Sequence, residues 1–294
     1  MITKGIYSAT CSILNDDLSL NVDLTIDHAV SSINNGLHGV IFFGSTGQSQ
    51  LIDLNSKKNL ISKIANHKLR NKFFLGTGCN STKETLELIK YGFEYEFRDF
   101  LIMPPAYYKG NTEQGVYNFY KLIINEVPRI KIILYNFEKL SSFLFTPDFV
   151  NKLVNDFPKN IIGVKDSSYN LYEKLKIKNF LIFPGSEAKL LKGLNLGCAG
   201  TISAITQVTH SLAREVFDNF EKKEKQTQND KLIAVREIFD KFNLISGLHS
   251  YFSKKNSKFK NLLPPLILLK PKEMEELIND LNNLKFEINK NLAA

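Results

Sequence analysis

KIILYNFEKLSSFLFTPDFVNKLVNDFPKNIIGVKD, residues 131–166, contains two short apolar runs joined by a segment with helical features. The runs KIILYN and IIGVKD lack a strict alternation of apolar and polar residues, as is typical of parallel strands that are covered on both faces. Between them, Thr146 can cap a helix and Pro147 can occupy its first position. The stretch therefore predicts a strand–helix–strand unit.

The same unit recurs along the chain. Apolar runs rich in β-forming residues occupy positions 5–10, 38–44, 72–78, 99–105, 131–136, 161–166, 180–186 and 200–205. Most are separated by helical patterns such as STKETLELIKYGF (81–93), in which Ser81 or Thr82 can act as the N-cap. An open doubly wound sheet is the alternative, but eight units of roughly even length favour an α/β protein with a closed (β/α)₈ TIM barrel.

After residue 206 the pattern is helical only. NDKLIAVREIFDKFNLI (229–245) and KPKEMEELINDLNNL (270–284) each place apolar residues on one stripe of a helix. No linker rich in Ser, Pro or Gly separates them from the preceding units. We expect a catalytic barrel over residues 1–225 and a helical extension over residues 226–294 that packs on it.

Composition limits the functional classes. Hydrophobic residues make up 43% and charged residues 23% of the 294 positions, as in folded globular proteins. The three cysteines are too few and too far apart for a disulfide framework, which favours a reducing cytoplasm. The N-terminus lacks a signal-peptide pattern, and the most apolar late run, NLLPPLILLK, is short and contains two prolines, so we expect no membrane association.

The formal net charge of +8 comes largely from late Lys-rich stretches that are mixed with glutamate. They lack the arginine and aromatic interleaving of nucleic-acid-binding segments, so we predict a solvated surface and no nucleic-acid partner. The five histidines form no metal-binding motif, and GTGCNS lacks the last glycine of the dinucleotide fingerprint. We therefore predict neither a metal nor a bound cofactor.

Polar residues follow several predicted strands at the end where TIM barrels carry their active sites. Lys165 ends the sixth strand, Tyr135 ends the fifth, and GSTGQS (44–49) follows the second. Burial favours the neutral form of an amine, which can attack a ketone to form a Schiff base. Tyr135 can transfer protons in that reaction, and the GSTG turn can hold a carboxylate. Taken singly, each residue also fits an ordinary surface lysine, core tyrosine or βα turn.

From residue 5 to about residue 210 the chain resembles the pyruvate-dependent class I aldolases typified by dihydrodipicolinate synthase and N-acetylneuraminate lyase. The resemblance rests on motifs in the family's order and spacing: GSTGQS, GTGCNSTKETLEL, PPAYYKG, ILYN, GVKDSS, FPGSE and GCAGTISA. It implies that Lys165 forms the imine with pyruvate or a 2-keto acid and that Tyr135 is the catalytic tyrosine. Thr46 would relay protons between Tyr135 and Tyr108 of a neighbouring subunit.

The resemblance also implies a substrate pocket. Ser45, Thr46 and Gly47 would hold the pyruvate carboxylate, and Gly185 and Ile202 would line the same pocket. Members of this family use no metal in catalysis, and they are commonly homotetramers built as dimers of dimers. The expected partners are therefore a small keto acid, an aldehyde and further copies of this chain.

The chain departs from the family pattern in the acceptor half of the site and also at Gln48. Synthases of this family follow the tyrosine with a proline and then an arginine that binds the acceptor's carboxylate, whereas YNFEKLSS has no proline and places Leu140 at the arginine position. Lys139 could supply only a point charge. Gln48 also stands where glutamate is usual. The chain therefore resembles a synthase-like branch without the usual acceptor-binding arginine.

We expect a lyase that condenses pyruvate with an aldehyde or cleaves a 2-keto acid to pyruvate. A 2-keto-3-deoxy sugar acid aldolase or dehydratase acting through the same imine is the alternative. From another class, a catalytically inactive barrel could bind a keto acid and act as a sensor. Retention of Lys165, Tyr135 and Thr46 favours the enzyme, because binding alone requires no proton transfer.

Overall fold

Eight parallel strands form the centre of the molecule, for which a computed structural model describes residues 1–286. The strands are β1 (Gly5–Ala9), β2 (Gly39–Phe42), β3 (Phe73–Gly76), β4 (Asp99–Ile102), β5 (Lys131–Asn136), β6 (Ile161–Asp166), β7 (Leu181–Pro184) and β8 (Gly200–Ser203). They pair in the order β7-β6-β5-β4-β3-β2-β1-β8. Between β7 and β8, the Ala199 N–H donates to the Ile182 carbonyl at 2.8 Å and the Thr201 hydroxyl to the Pro184 carbonyl at 2.7 Å. These bonds nearly close the sheet and confirm the (β/α)₈ barrel.

Helices surround the barrel. They are α1 (Val22–Asn34), α2 (Leu54–Ala65), α3 (Thr82–Glu94), α4 (Glu113–Glu126), α5 (Glu138–Ser141), α6 (Pro147–Asp156), α7 (Leu190–Asn195), α8 (Thr206–Glu221), α9 (Asn229–Asp240), α10 (Leu244–Ser253) and α11 (Pro271–Asn283). Short 3₁₀ turns cover Ser45–Gly47, Arg70–Lys72, Glu187–Lys189 and Ser257–Lys260. Within residues 1–286, no helix is both long enough and apolar enough to cross a bilayer.

The helix starts follow the capping residues that the sequence contains. The Ser81 hydroxyl accepts the Glu84 N–H at the start of α3, and the Thr146 hydroxyl accepts the Phe149 N–H at the start of α6. Pro147 occupies the first turn of α6. Each cap satisfies an N–H group that has no partner inside its helix, so the predicted starts are confirmed.

The expected helix over 229–245 is two helices. α9 ends at Asp240, and the Asn243 side chain accepts the Ser246 N–H to cap α10. Phe242, an apolar residue within the predicted helix, lies in the break and is half-buried. The Asn243 cap therefore starts a new helix, although the apolar stripe alone would be compatible with one continuous helix.

Two hydrophobic clusters position the site. The first fills the barrel interior and includes Tyr7, Ile133, Tyr135, Phe183 and Ile202. The second joins α9, α10 and α11 to residues that follow β1 and β8, among them Cys11, Ile13, Ile205 and Val208. The connection between α8 and α9 contains the predicted boundary at residue 225, and residues 287–294 of the predicted extension lie outside the described residues.

Candidate active site

Lys165 and Tyr135 lie side by side at the carboxyl ends of β6 and β5. The two residues pair in the parallel register of these strands. The Lys165 Nζ lies 4.3 Å from the centroid of the Tyr135 ring, and both side chains are buried, at 3% and 4% exposure. An aromatic face stabilises a nearby positive charge. The ring can therefore stabilise both an ammonium ion and a protonated imine at this nitrogen.

Asp166 holds the turn that follows Lys165. Its fully buried carboxylate accepts the Asn136 side-chain amide at 2.8 Å and three backbone N–H groups within residues 169–172 at 2.8–2.9 Å. Burial nevertheless raises the pKa of this carboxyl. Because successive side chains of a strand point to opposite faces, these bonds fix Asp166 on one face while Lys165 occupies the other.

The hydroxyl loop after β2, residues 44–49, contacts Tyr135. The Ser45 Oγ lies 3.0 Å from the Tyr135 hydroxyl. Thr46 is buried beside it but has no hydrogen bond to Tyr135 among the described residues. The structure therefore brings Ser45, rather than the expected Thr46, to the phenol.

Two backbone N–H groups of the hydroxyl loop donate to carbonyls within the loop itself. The N–H groups of Gly47 and Gln48 donate to the carbonyls of Gly44 and Ser45 at 3.1 and 3.0 Å. A Cβ at Gly47 would meet the Thr10 carbonyl at 2.9 Å, so this position is closely packed. These two N–H groups are therefore not free to bind an anion, whereas those of Ser45 and Thr46 donate to no acceptor among the described residues.

A cavity of about 450 Å³ opens over the hydroxyl loop and Tyr135. Its lining comes from segments that follow β2, β3, β4 and β5, together with the start of α10 and residues 265–266. Its volume lies within the usual range for small-molecule sites. Lys165 does not line the cavity, but its amine lies against the ring of Tyr135, which does.

Gly185 and Ile202 pack around the site without lining this cavity. The Gly185 N–H donates to the Asp166 carbonyl at 2.8 Å, and a Cβ at this position would overlap the Ser167 hydroxyl. Ile202 is fully buried on β8 in the barrel-interior cluster that contains Tyr135. Gly185 therefore packs against the turn after Lys165, and Ile202 packs in the same barrel-interior cluster as Tyr135.

Tyr108 lies apart from the other predicted site residues. It is 73% exposed in the segment between β4 and α4, and its ring packs edge-on against Tyr107, which is 82% exposed. Within the described chain it makes no hydrogen bond to Thr46 or Tyr135. A role for Tyr108 across a subunit interface therefore remains a prediction.

The two sequence departures have clear structural positions. Leu140 lies on α5, is 41% exposed and lines the cavity. Gln48 is buried, and its Oε1 accepts the Leu263 N–H at 2.8 Å, which ties the hydroxyl loop to the C-terminal part of the chain. Its Nε2 has no hydrogen-bond partner among the described residues.

Sequence reasoning missed a buried ion pair at the ends of β7 and β8. The Arg236 Nη1 donates to the Glu187 carboxylate at 3.1 Å and to the Ser203 hydroxyl at 3.0 Å, and Arg236 and Glu187 are 8% and 0% exposed. Glu187 ends the quoted motif FPGSE, but its partner is 49 residues later on α9. Only the fold reveals this pairing.

Among residues 1–286, no group of three or more His, Cys, Asp or Glu side chains is placed to hold a metal ion. All three cysteines are buried and unpaired.

Known proteins resemble this chain in sequence and in fold. A family model described as "Dihydrodipicolinate synthetase family" matches residues 3–284. The 4-hydroxy-tetrahydrodipicolinate synthase of Prochlorococcus marinus (strain MIT 9515) is 27% identical over 225 residues, covering 74% of this chain and 74% of that protein. A 2-dehydro-3-deoxy-D-gluconate/2-dehydro-3-deoxy-phosphogluconate aldolase of Picrophilus torridus is 26% identical over 256 residues, covering 84% of this chain and 94% of that protein.

A solved structure shares the whole fold. YagE, a prophage protein of the dihydrodipicolinic acid synthase family from E. coli K12 determined in complex with pyruvate, superposes with a TM-score of 0.88. The match covers 98% of this chain and 100% of that chain at 21% sequence identity.

Proposed function

Because the chain belongs to the dihydrodipicolinate synthetase family and is an enzyme of that family, we propose that it forms an imine between Lys165 and pyruvate and then makes or breaks the adjacent carbon–carbon bond. One observation carries the proposal. A buried lysine amine lies 4.3 Å from the ring centroid of Tyr135, whose hydroxyl is 3.0 Å from that of Ser45. This arrangement supplies a nucleophile and a proton-transfer pair in one place.

The first half of the reaction takes place on the keto acid. The neutral Lys165 amine attacks the keto carbon, and the resulting carbinolamine loses water to give the protonated imine. Tyr135 donates the proton that the departing hydroxyl needs. The Tyr135 phenolate then takes a proton from the methyl group of the imine to give an enamine, which is the carbon nucleophile for an aldehyde.

The structure supports Ser45 as the immediate proton partner of Tyr135. The resemblance assigns this relay to Thr46, whereas the hydrogen bond observed is that of Ser45. Thr46 retains the proposed role of binding the pyruvate carboxylate together with Ser45 and Gly47, in which the Ser45 and Thr46 hydroxyls supply donors and Gly47 allows the close packing of the turn. No cofactor is required, because the imine nitrogen itself accepts the electron pair of the bond that breaks.

A second activity of the same kind is supported by the Picrophilus torridus relative. That protein's name describes an aldolase for 2-keto-3-deoxy sugar acids, and its match extends over more of this chain than that of the Prochlorococcus synthase. The same imine would cleave such an acid to pyruvate and an aldehyde, or would support loss of water from it.

We further propose a cytoplasmic homotetramer built as a dimer of dimers. The exposed aromatic pair of Tyr107 and Tyr108 supports a contact with another copy, because two large exposed rings at one loop are typical of interaction sites. The buried, unpaired cysteines support a reducing compartment.

The test is turnover. The purified chain is incubated with pyruvate and a panel of aldehydes, and loss of pyruvate and formation of 4-hydroxy-2-keto acids are measured. Cleavage of 2-keto-3-deoxy sugar acids to pyruvate is assayed in parallel. We expect a new carbon–carbon bond, cleavage or dehydration with at least one substrate. Imine formation without any product would instead favour the sensor alternative.

A further inference from the structure

The side chains that line the cavity beside Tyr135 are all uncharged among residues 1–286: none of them is Asp, Glu, Lys, Arg or His. This is unusual for a site that would hold a doubly anionic product, because an unpaired charge in a partly buried site is costly. Lys139, the neighbour of Leu140 on α5, is exposed and does not line the cavity.

The lining has two chemically different walls. The polar wall is formed by residues 44–50 and 77–79, which carry the hydroxyl loop. The apolar wall comes from the segments after β4 and β5, the start of α10 and residues 265–266, and it includes Met103, Phe137, Leu140, Leu244, Pro265 and Leu266.

The apolar wall is anchored to the reactive part of the site. Phe137 lies two residues after Tyr135, and the two rings are 6.0 Å apart between centroids. The bond from the Leu263 N–H to Gln48 ties the segment before Pro265 and Leu266 to the hydroxyl loop. A substrate carbonyl at the Tyr135 hydroxyl would therefore direct its substituent along a preformed apolar surface.

We propose that the acceptor aldehyde of this enzyme is uncharged and carries an apolar body, aliphatic or aromatic, that packs against Leu140 and its neighbours. This inference rests on the proposed function and specifies its substrate. Burial of apolar surface contributes roughly 25 cal/mol per Å². A carboxylated or phosphorylated acceptor finds no cation in the same cavity, and a polyhydroxylated acceptor finds few polar partners on the apolar wall.

The reaction is balanced without any further reagent. The enamine carbon of the Lys165–pyruvate adduct bonds to the aldehyde carbon, and the carbonyl π pair becomes an alkoxide that takes a proton from Tyr135. Water then adds to the imine carbon and returns a proton to the Tyr135 phenolate, the Lys165 nitrogen leaves as an amine, and a 4-hydroxy-2-keto acid with the apolar substituent is released. The reaction is redox-neutral overall. The pyruvate carboxylate remains the only anionic group, on the polar wall.

The test compares neutral and charged acceptors on the full chain. Initial rates are measured with pyruvate and hexanal, benzaldehyde, glyceraldehyde, succinic semialdehyde and glyceraldehyde 3-phosphate. We expect kcat/KM for hexanal or benzaldehyde to exceed that for the other three by at least roughly 10-fold, the scale of discrimination by apolar contacts. A preference for a hydroxylated, carboxylated or phosphorylated aldehyde would overturn the inference.

Two variants each add one arginine, the first inside the cavity and the second outside it. Leu140→Arg adds a guanidinium to the cavity, whereas Leu122→Arg adds it to α4 at a position of similar exposure outside the cavity, 44% against 41%. Leu140→Arg should shift the kcat/KM ratio toward succinic semialdehyde by on the order of 10²-fold, because a bidentate guanidinium binds carboxylates. Leu122→Arg should leave the ratio unchanged. An equal shift in both variants would contradict the assignment of Leu140 to the acceptor site.

Borohydride reduction in the presence of pyruvate distinguishes a failure of the apolar-acceptor inference from a failure of the proposed function. If pyruvate is trapped on Lys165 but apolar aldehydes are poor acceptors, only the apolar-acceptor inference fails. If no adduct forms, the proposed function fails and this inference fails with it.

Discussion

The hydroxyl oxygens of Ser45 and Tyr135 lie 3.0 Å apart, although the two residues are 90 positions apart in the chain. Ser45 follows β2 and Tyr135 ends β5, so the contact spans the mouth of the barrel. Because the phenol also belongs to the ring that covers the Lys165 amine, the contact links the hydroxyl loop to the nucleophile.

Ser45→Ala should lower kcat by about 10²-fold, the lower end of the usual contribution of a proton-transfer group. The phenol loses its proton partner while the ring and Lys165 keep their positions. Initial rates with the best aldehyde of the panel give kcat and KM separately. Ser45→Thr should recover most of the activity because it retains the hydroxyl.

Thr46→Ala is the matched comparison for Ser45→Ala. Since no hydrogen bond joins Thr46 to Tyr135 among the described residues, its loss should raise KM for pyruvate more than it lowers kcat. A larger fall in kcat for Thr46→Ala than for Ser45→Ala would indicate that Thr46, and not Ser45, exchanges protons with Tyr135.

Gly185→Ala should destabilise the fold by about 1–3 kcal/mol, the usual cost of overpacking. The added methyl group would overlap the Ser167 hydroxyl in the turn after Lys165. Urea unfolding measures the change in the free energy of unfolding. Gly115→Ala is the control, because a Cβ there meets only the Thr112 hydroxyl oxygen, at 3.6 Å, and should change stability by less than about 1 kcal/mol. Equal effects of the two changes would refute the packing argument.

Arg236→Met should cost about 3–5 kcal/mol of unfolding free energy, because it leaves the fully buried Glu187 carboxylate without its cation. Adding Glu187→Gln removes the uncompensated charge, so the double variant should be more stable than Arg236→Met alone. Denaturant titrations of the two single variants and the double variant form the cycle. Additive losses would show that the two side chains are not coupled.

Unfolding free energy should fall as the pH is lowered from 6.5 toward 4. Burial lowers the pKa of His28, His210 and His249 from the ordinary 6.5 to about 4. In that window the unfolded chain binds protons that the folded chain does not, so folding becomes less favourable on acidification. Each such histidine contributes a loss of about 2 kcal/mol between pH 7 and pH 5.

The variant His249→Asn tests how much one buried histidine contributes to the loss of unfolding free energy at low pH. The buried carboxyls of Asp99 and Asp166, whose pKa values burial raises, give a slope of opposite sign in both proteins. Asparagine can still donate to the Phe259 carbonyl, which lies 2.9 Å from the His249 Nδ1, but it does not titrate. Urea unfolding at pH 7 and pH 5 should therefore show a smaller loss for the variant. An identical pH slope in both proteins would count against a neutral buried His249.

Local patterns were sufficient to predict the barrel. Each observed strand lies within a predicted apolar run, because a strand covered on both faces needs a continuous apolar sequence. The break between α9 and α10 and the single turn of α5 were missed, since a cap and a four-residue helix leave almost no periodic signal.

The site was predicted less completely than the fold. Lys165 and Tyr135 were placed correctly as neighbours at strand ends, since strand order and register follow from the barrel. That the Ser45 hydroxyl, and not that of Thr46, lies within hydrogen-bond distance of Tyr135 depends on side-chain direction within a three-residue 3₁₀ turn, which spacing does not reveal. The Arg236–Glu187 pair and the apolar wall depend on contacts between the barrel and the C-terminal helices, so only tertiary structure shows them.

The most direct test of an imine at Lys165 is mass spectrometry of peptides from the chain after reduction with borohydride in the presence of pyruvate. We expect the reduced pyruvate adduct on Lys165 and on no other lysine, and Lys165→Arg should abolish it. An unmodified Lys165, or an adduct spread over exposed lysines with equal yield, would refute an imine at this residue.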